Sequence, residues 1–451
     1  MKQKLVKSTS GVRGVIGAGL DPVMATAYGA AFGTLVKTGT VVIGRDSRPS
    51  GSMILPAVIS GLVSVGIDVV DIGIVPTPTV EIAVKQLRAV GGICVTASHN
   101  PSEWNALKFF NDRGEFITPA QYKRLDRIYS TGAFAYKTYK DLGKVVVQNH
   151  WVGEHVKKTL KVRAVDKAAV INRKFKVVVD AVNGAGSEAL PLLLTRLGAK
   201  VVEINCDGDG NFKRNPEPVP ANLRLLSSAV KRHKADIGMA CDPDADRLAL
   251  VDEKGNPIGE ELTLSIAVAA VLSKTKGPTV INLSTSKVTE EIANSLGSKV
   301  IYSKVGESNV VQMMHNRKGV IGGEGNGGVI YPAFHSGRDA LIAAALVLSY
   351  LAKKKMSLGE LVATFPRYYN IKTKGLLKAN FSSKLKQFEK EVPRLLGKTR
   401  VDRRDGLRFD FESGWLQIRT SNTEPIYRVI IETSDRSLTE SLLRKVRKYL
   451  K

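Results

Sequence analysis

The chain has 451 residues, 43% hydrophobic and 24% charged, with a formal net charge of +25. That length exceeds what one hydrophobic core serves and points to three or four domains, and the composition excludes a disordered or low-complexity protein. The longest apolar run, ALIAAALVLSYLA at 340 to 352, is too short for the roughly 18–20 residues of a membrane span and reads as a buried helix.

The start, MKQKLVKSTSG, lacks the apolar segment and cleavage site of a secretory signal, so a cytoplasmic protein is expected. The basic balance points to an anionic partner: a phosphorylated metabolite, nucleic acid or an anionic membrane. The charges are spread thinly, however, with no basic tail and no nucleic-acid-binding motif, so nucleic acid is the remote reading. The densest cluster, VDRRDGLR at 401 to 408, and the terminal LLRKVRKYLK read as solvated faces of a hairpin and a helix. Cys94, Cys206 and Cys241 are odd in number and far apart. They read as small buried thiols rather than as a disulfide framework or a zinc site.

In chain order, three segments share one plan: residues 40 to 73, 176 to 208 and 279 to 306. Each runs from a β-branched strand through a polar loop and an apolar-periodic helix ending near glycine to a second β-branched strand. Strand, helix, strand implies parallel pairing under a helical cover, so three related α/β domains are expected. The end differs: GLRFDF, GWLQIRT and PIYRVIIE alternate as antiparallel strands do, and a capping box from Ser437 to Glu440 is expected to start the last helix. FPRYYNIKTKG at 365 to 375 reads as the linker into this smaller α+β domain. The expected domains are 1–148, 149–254, 255–367 and 368–451.

Four loops carry chemistry. In CVTASHNP, Ser98 and His99 follow a buried strand; taken alone, they fit a hydrogen-bonded turn as well as a nucleophile. In CDPDADR, the alternation of Asp242, Asp244 and Asp246 lets three carboxylates converge on one hard cation such as Mg²⁺, and Arg247 follows as a phosphate ligand. In GVIGGEGNGG, glycines around Glu324 and Asn326 allow close approach of a ligand to groups suited to vicinal hydroxyls, without the lysine of a P-loop. In IRTSNTEPIYR, Arg419, Ser421, Asn422, Thr423 and Arg428 surround a turn as a cradle for a phosphate dianion.

STSGVRG, TASHNP followed by Lys108, DPDADR, GGEGNGG and RTSNTEP, in this order and across essentially the whole chain, resemble the α-D-phosphohexomutase family. The resemblance implies three related α/β domains with mixed, largely parallel sheets and a fourth α+β domain around a central cleft. It implies interconversion of hexose 6-phosphate and hexose 1-phosphate with Mg²⁺, one per site, through a phosphoserine and a hexose 1,6-bisphosphate that also serves as activator. Ser98 is then the phosphoryl carrier, and Asp242, Asp244 and Asp246 hold the metal together with its phosphate. Arg13, His99, Lys108 and Arg247 line the centre, with Lys108 preferred over His99 as acid/base. Glu324, with Asn326, meets the sugar, and Arg419, Ser421, Asn422, Thr423 and Arg428 hold the other phosphate.

Asn326, Gly327 and Gly328 stand where many bacterial members have Ser-Gly-His, which resembles archaeal members and leaves His335 as a substitute histidine. Glucosamine phosphate is the leading substrate, followed by mannose and glucose phosphates. A phosphoserine-type sugar phosphatase and a nucleic-acid-binding protein are the alternatives, and self-association is compatible with the sequence.

Overall fold

The computed structural model describes residues 5–421 and 426–450. Four sheets follow one another along the chain. The first has seven strands in the order Val6–Ser8, Gly11–Val15, Trp104–Phe110, Gly91–Val95, Thr40–Arg45, Asp68–Ile74 and Val145–Val147. Its second half is parallel and its first half antiparallel. The second and third sheets have four strands each, with two parallel pairings and one antiparallel pairing in each.

All three expected strand, helix, strand units form with parallel pairing: Thr40–Arg45 with Asp68–Ile74, Lys176–Asp180 with Lys200–Ile204, and Thr279–Asn282 with Val300–Ser303. Each intervening helix is followed by a glycine at positive φ, Gly66, Gly198 or Gly297. β-Branched runs make the strands because their side chains pack on a pleated surface, and here they are covered on both faces. Along Thr40–Arg45, Val41 and Ile43 face one core while Val42 faces another.

A second motif recurs: a strand leaves its sheet, turns through a loop and returns antiparallel beside itself. The pairs are Gly91–Val95 with Trp104–Phe110, Ile237–Cys241 with Leu248–Val251, and Ile321–Glu324 with Gly328–Ile330. The expected chemical loops of the first three domains are these three connections.

One apolar core runs from Val42 to Leu361 and takes in residues of all three α/β domains. Its centre includes helix Ala340–Lys354, buried from Ala340 through Ala352 as the apolar run implied. The fourth sheet is antiparallel throughout, in the order Tyr369–Leu376, Ile426–Thr433, Gly414–Thr420, Leu407–Phe411 and Arg400–Asp402. It has its own core around Phe388, Phe409, Leu416 and Leu442.

Three local expectations are corrected. The second half of the linker read at 365 to 375 is an edge strand, Tyr369–Leu376, whose alternating lysines disguise it. The last helix is not opened by a Ser437 to Glu440 box: the Asp435 carboxylate accepts from the Ser437 and Leu438 amides at 2.7 and 3.4 Å, and Glu440 pairs with Arg436 instead. Arg408, read as part of a solvated face, is 1% exposed and stacks on Trp415 and Tyr302, with its guanidinium carbon 4.3 and 4.7 Å from the ring centres. Its flat cation suits an aromatic slot. Cys94 and Cys241 are buried, Cys206 is half-buried, and all three are free thiols. Among the described residues no helix is long and apolar enough to cross a membrane.

Candidate active site

Ser98 opens the loop beyond Gly91–Val95 in a left-handed conformation, φ +51°. Its Oγ donates to Asp242 Oδ2 at 3.1 Å and lies 3.3 Å from His99 Nδ1. Lys108 arrives by sheet register, since its strand returns beside the one that leads to Ser98 and pairs it with Cys94. Its ammonium donates to Asp244 Oδ2 at 2.5 Å and to Asp246 Oδ2 at 3.3 Å. Burial alone would depress this ammonium, but the two carboxylates outweigh it and raise the group overall. Arg13, on Gly11–Val15, reaches the same loop through Asn100 Oδ1 at 3.3 Å.

Asp242, Asp244 and Asp246 are buried on the connection after Ile237–Cys241, and each offers an oxygen within 4.8 Å of the others. Burial, then the charges of Asp246 and Asp244, pushes Asp242 well above the usual carboxylate range. Burial acts on Asp246 in the same direction, but Arg338, Lys108 and Arg247 hold it below its ordinary value. The Oδ1 atoms of Asp244 and Asp246 are buried and have no hydrogen-bond partner among the described residues. Three converging carboxylates with unspent oxygens fit a hard divalent cation. Arg247 stands over the group, with its Nε 3.6 Å from Asp246 Oδ1 and 3.9 Å from Asp242 Oδ2. His99 is held neutral by burial and by the neighbouring Arg247 and Arg13 charges.

Glu324 ends its strand buried, accepting from Asn282 Nδ2 and the Gly306 amide, each at 2.9 Å, and from Arg338 Nη1 at 2.7 Å. Burial opposes its charge, but Arg338 and Arg247 more than offset this, and the carboxylate stays ionised. Asn326 turns its amide inward: its Oδ1 accepts from the Gly328 amide at 3.1 Å and its Nδ2 faces Glu324 at 3.4 Å. Gly327 is required here, because at φ +85° a Cβ would lie 2.4 Å from the Leu248 carbonyl oxygen. His335 does not join this group. It is 4% exposed and its ring nitrogens engage Asp339 at 3.0 Å and Glu81 at 3.2 Å, at the junction of the first and third domains.

In the fourth domain Arg419 and Arg428 stand opposite each other on paired strands. Burial and the neighbouring Arg428 charge lower the Arg419 guanidinium, while the Asp405 and Glu324 charges act the other way. The Ser421 amide donates to the Ile426 carbonyl at 2.8 Å. Asn422 and Thr423 lie outside the described residues.

Several residues of the site were not singled out in the sequence. Thr77 carries the first domain to the triad: its hydroxyl donates to Asp244 Oδ2 at 2.5 Å and its amide to the Asp244 carbonyl at 2.9 Å. Arg338 joins the loops of the second and third domains, with Nη2 2.6 Å from Asp246 and Nε 3.0 Å from Glu307. Glu217 Oε1 lies 4.0 Å from His99 and 3.9 Å from Arg247. Each lies in or beside a proline- or glycine-containing segment, PTPT, NPEP or SGRDA, but nothing in those segments marks its partner.

Four α/β and α+β domains that bring a serine, a carboxylate triad and a ring of guanidinium groups together form a site for handling phosphoryl groups. Family models for phosphoglucomutase/phosphomannomutase match all four units: α/β/α domain I at residues 4–136, domain II at 153–255, domain III at 259–369 and the C-terminal domain at 376–448. The chain is 37% identical to a phosphoglucomutase/phosphomannomutase of Thermococcus kodakarensis, covering 98% of this chain and 96% of that one. It is 36% identical to a probable phosphoglucosamine mutase of Pyrococcus abyssi, covering 98% and 97%. The crystal structure of a phosphoglucomutase/phosphomannomutase family protein from Burkholderia thailandensis superposes with a TM-score of 0.86 at 28% identity, covering 98% and 96%. The chain belongs to the phosphoglucomutase/phosphomannomutase family of phosphohexomutases, and is therefore an isomerase.

Proposed function

We propose that the protein interconverts hexose 6-phosphate and hexose 1-phosphate through a phosphorylated Ser98, with glucosamine phosphate as its leading substrate and mannose or glucose phosphate as the alternative. The observation that carries this reading is the Ser98 hydroxyl at 3.1 Å from Asp242 within a buried carboxylate triad. That triad is linked through Arg338 to the Glu324 loop. The preference for glucosamine rests on relatives such as the Pyrococcus abyssi protein, named a probable phosphoglucosamine mutase. In this reading residues 1–148, 149–254, 255–367 and 368–451 are the four working units of a cytoplasmic enzyme that is free to self-associate.

Asp242, Asp244 and Asp246, with the Ser98 phosphate, would hold one Mg²⁺ per site. When bound, the ion supplies charge neutralisation at the phosphoryl group. A phosphoserine carries close to two negative charges, and Arg13, Arg247 and Lys108 offset them as the anionic substrate enters. Glu324 accepts from sugar hydroxyls, and the loop carrying Arg419, Ser421, Asn422, Thr423 and Arg428 grips the phosphate that is not being transferred.

The sugar hydroxyl then attacks the Ser98 phosphorus, the bond from phosphorus to Oγ breaks, and a hexose 1,6-bisphosphate results. After the intermediate turns over, Oγ attacks its other phosphorus, Ser98 is phosphorylated again and the isomeric monophosphate leaves. The proton lost by the attacking sugar hydroxyl ends on the departing Oγ, with Lys108 as the preferred acid/base that carries it and His99, 3.3 Å from Oγ, as the other candidate.

Two measurements test the reading. Catalytic hexose 1,6-bisphosphate should stimulate isomerisation, whereas steady release of inorganic phosphate without isomerisation would identify a phosphatase. Ser98→Ala should abolish turnover, with a loss of at least about 10³-fold, and retention of near-normal turnover would remove Ser98 from the mechanism. Comparing kcat/KM on glucosamine, mannose and glucose phosphates decides the sugar.

A further inference from the structure

The conformation of Ser98 is held by side chains that take no direct part in the reaction proposed above. A left-handed φ of +51° is disfavoured for a residue with a Cβ and persists only where its surroundings impose it. The Ser98 amide donates to Thr96 Oγ1 at 3.0 Å, and the Thr96 hydroxyl donates to Asp46 Oδ2 at 2.6 Å. The Ser98 carbonyl accepts from Arg48 Nη2 at 2.5 Å, and Arg48 Nε donates to the same Asp46 oxygen at 2.9 Å. Both peptide groups of Ser98 therefore trace back to one carboxylate oxygen. Arg48 also donates to the Asn100 and Pro101 carbonyls at 2.7 and 2.8 Å, so a single guanidinium closes the whole loop.

Asp46 and Arg48 are fully buried, at the carboxyl end of the central strand Thr40–Arg45. The guanidinium carbon lies 4.9 Å from the ring centre of Phe212, a residue of the second domain. The two domains meet closely around that ring. Ser47 Oγ donates to the Asn183 carbonyl at 2.7 Å, and Gly210, at φ +73°, leaves room for the Ser47 carbonyl only because it lacks a Cβ, which would lie 2.1 Å away.

We propose that Arg48, anchored by Asp46, is a positioning residue that fixes the aim of Ser98. Its contact with Phe212 couples that aim to the docking of the domain that carries the metal-binding aspartates. Only a guanidinium can do this, because its fork meets one carboxylate and three carbonyls at once, which an ammonium cannot. Phosphoryl transfer in both directions relies on placing Oγ in line with phosphorus, and a displacement of about 1 Å costs on the order of 10²-fold in rate. Arg48 is fully buried with its guanidinium spent on these four partners, so its loss falls on the chemical step rather than on substrate capture.

The inference rests on Ser98 as the phosphoryl carrier. The test uses the full chain with Mg²⁺, as Arg48→Lys and, independently, Thr96→Val, which keeps shape and removes the hydroxyl relay. The expected result for Arg48→Lys is a kcat lower by about 10²-fold, with KM for hexose monophosphate unchanged within about threefold. Thr96→Val should act in the same direction by roughly tenfold. Phosphorylation of Ser98 by added hexose 1,6-bisphosphate, followed by intact mass, should slow by matching factors in protein shown to be folded by its melting curve.

If kcat and the phosphorylation rate stay within about threefold of the parent, or if KM alone changes, the positioning role is overturned. If Arg48→Lys fails to fold, Thr96→Val carries the same two outcomes. A parent protein that takes up no phosphate on Ser98 would instead break the functional reading on which the inference rests.

Discussion

The two ends of the cleft are built on different foundations. The end around Ser98 belongs to three domains that share one continuous apolar core, and polar pairs cross their boundaries within it, Thr77 with Asp244 and Arg338 with Asp246. The fourth domain has a separate core and meets the third through polar links. These include Lys372 with Glu260 and Glu261 at 2.8 Å, Glu432 with the Lys287 amide at 2.7 Å, Ser284 with Gln417 at 2.6 Å and Asp405 with the Val305 amide at 2.9 Å. A cavity of about 760 Å³ lies beside these links. A shared core fixes geometry to fractions of an ångström, whereas polar links around a cavity let one body turn against another. The division suits a reaction in which one phosphoryl group is transferred at a fixed point while the rest of the intermediate changes ends.

The comparison can be broken at either end. The largest expected effect is at the triad: Asp244→Asn removes one of the three carboxylates proposed to hold the metal, and in protein shown to be folded by its melting curve activity should fall by about 10²–10³-fold, recovered in part by excess Mg²⁺. Activity within a few-fold of the parent would remove Asp244 from the site. Next come the two cores. Leu346→Ala, in the buried helix Ala340–Lys354, should cost about 2–5 kcal/mol and lower the transition of the three-domain unit. Leu416→Ala should cost a similar amount but move only the transition of the fourth domain. Calorimetry of the whole chain separates these outcomes, and a single transition shifted equally by both substitutions would contradict the division.

A smaller effect is set by pH. Burial opposes the His335 charge, yet its bonds to Asp339 and Glu81 raise the imidazole to about 9 from an ordinary 6.5. Because the folded pKa is the higher one, the stabilisation is complete below pH 6.5 and is lost as pH rises to 9. Burial also raises the Glu81 carboxyl, and because Glu81 and His335 share one contact they titrate as a pair over this range. The melting temperature of the three-domain unit should therefore decline over this range, and His335→Gln should reduce the slope. The fourth domain's transition should lack this contribution, and an equal slope there would place its cause elsewhere.

What was legible in the sequence follows the same line. Strand, helix, strand units and the buried helix could be read because β-branched runs and apolar periodicity reflect burial on both faces. The edge strand Tyr369–Leu376 could not, since one edge-strand side faces water and its lysines imitate a linker. Ser98 and the three aspartates stood out because their chemistry concentrates unusual residues in short loops. Thr77, Arg338 and Arg48 act through partners far along the chain, Arg338 on Asp246 across 92 positions and Thr77 on Asp244 across 167. Spacing within a loop carries no information about such pairs. Asp435 displaced Ser437 as the cap of the last helix for a simpler reason: either residue can accept from the first amides, and one position decides which is in reach.

The smallest effect sharpens the comparison most. Lys372 is 39% exposed on its side chain and bonds Glu260, Glu261 and the Gly325 carbonyl, next to Glu324. A half-exposed ion pair of this kind contributes at most about 1 kcal/mol, so Lys372→Ala should leave the melting curve nearly unchanged. The link nevertheless joins the fourth domain to the Glu324 loop, which in the proposed reaction grip the phosphate and the sugar. A looser fourth domain holds the hexose bisphosphate less well while it turns over, so more of it escapes and more activator is needed to keep Ser98 phosphorylated. The expected result is a several-fold rise in the bisphosphate concentration giving half-maximal activity, with kcat at saturating bisphosphate close to the parent value. An unchanged bisphosphate requirement would show that the fourth domain is held by its other contacts, and that its separate core does not translate into separate motion.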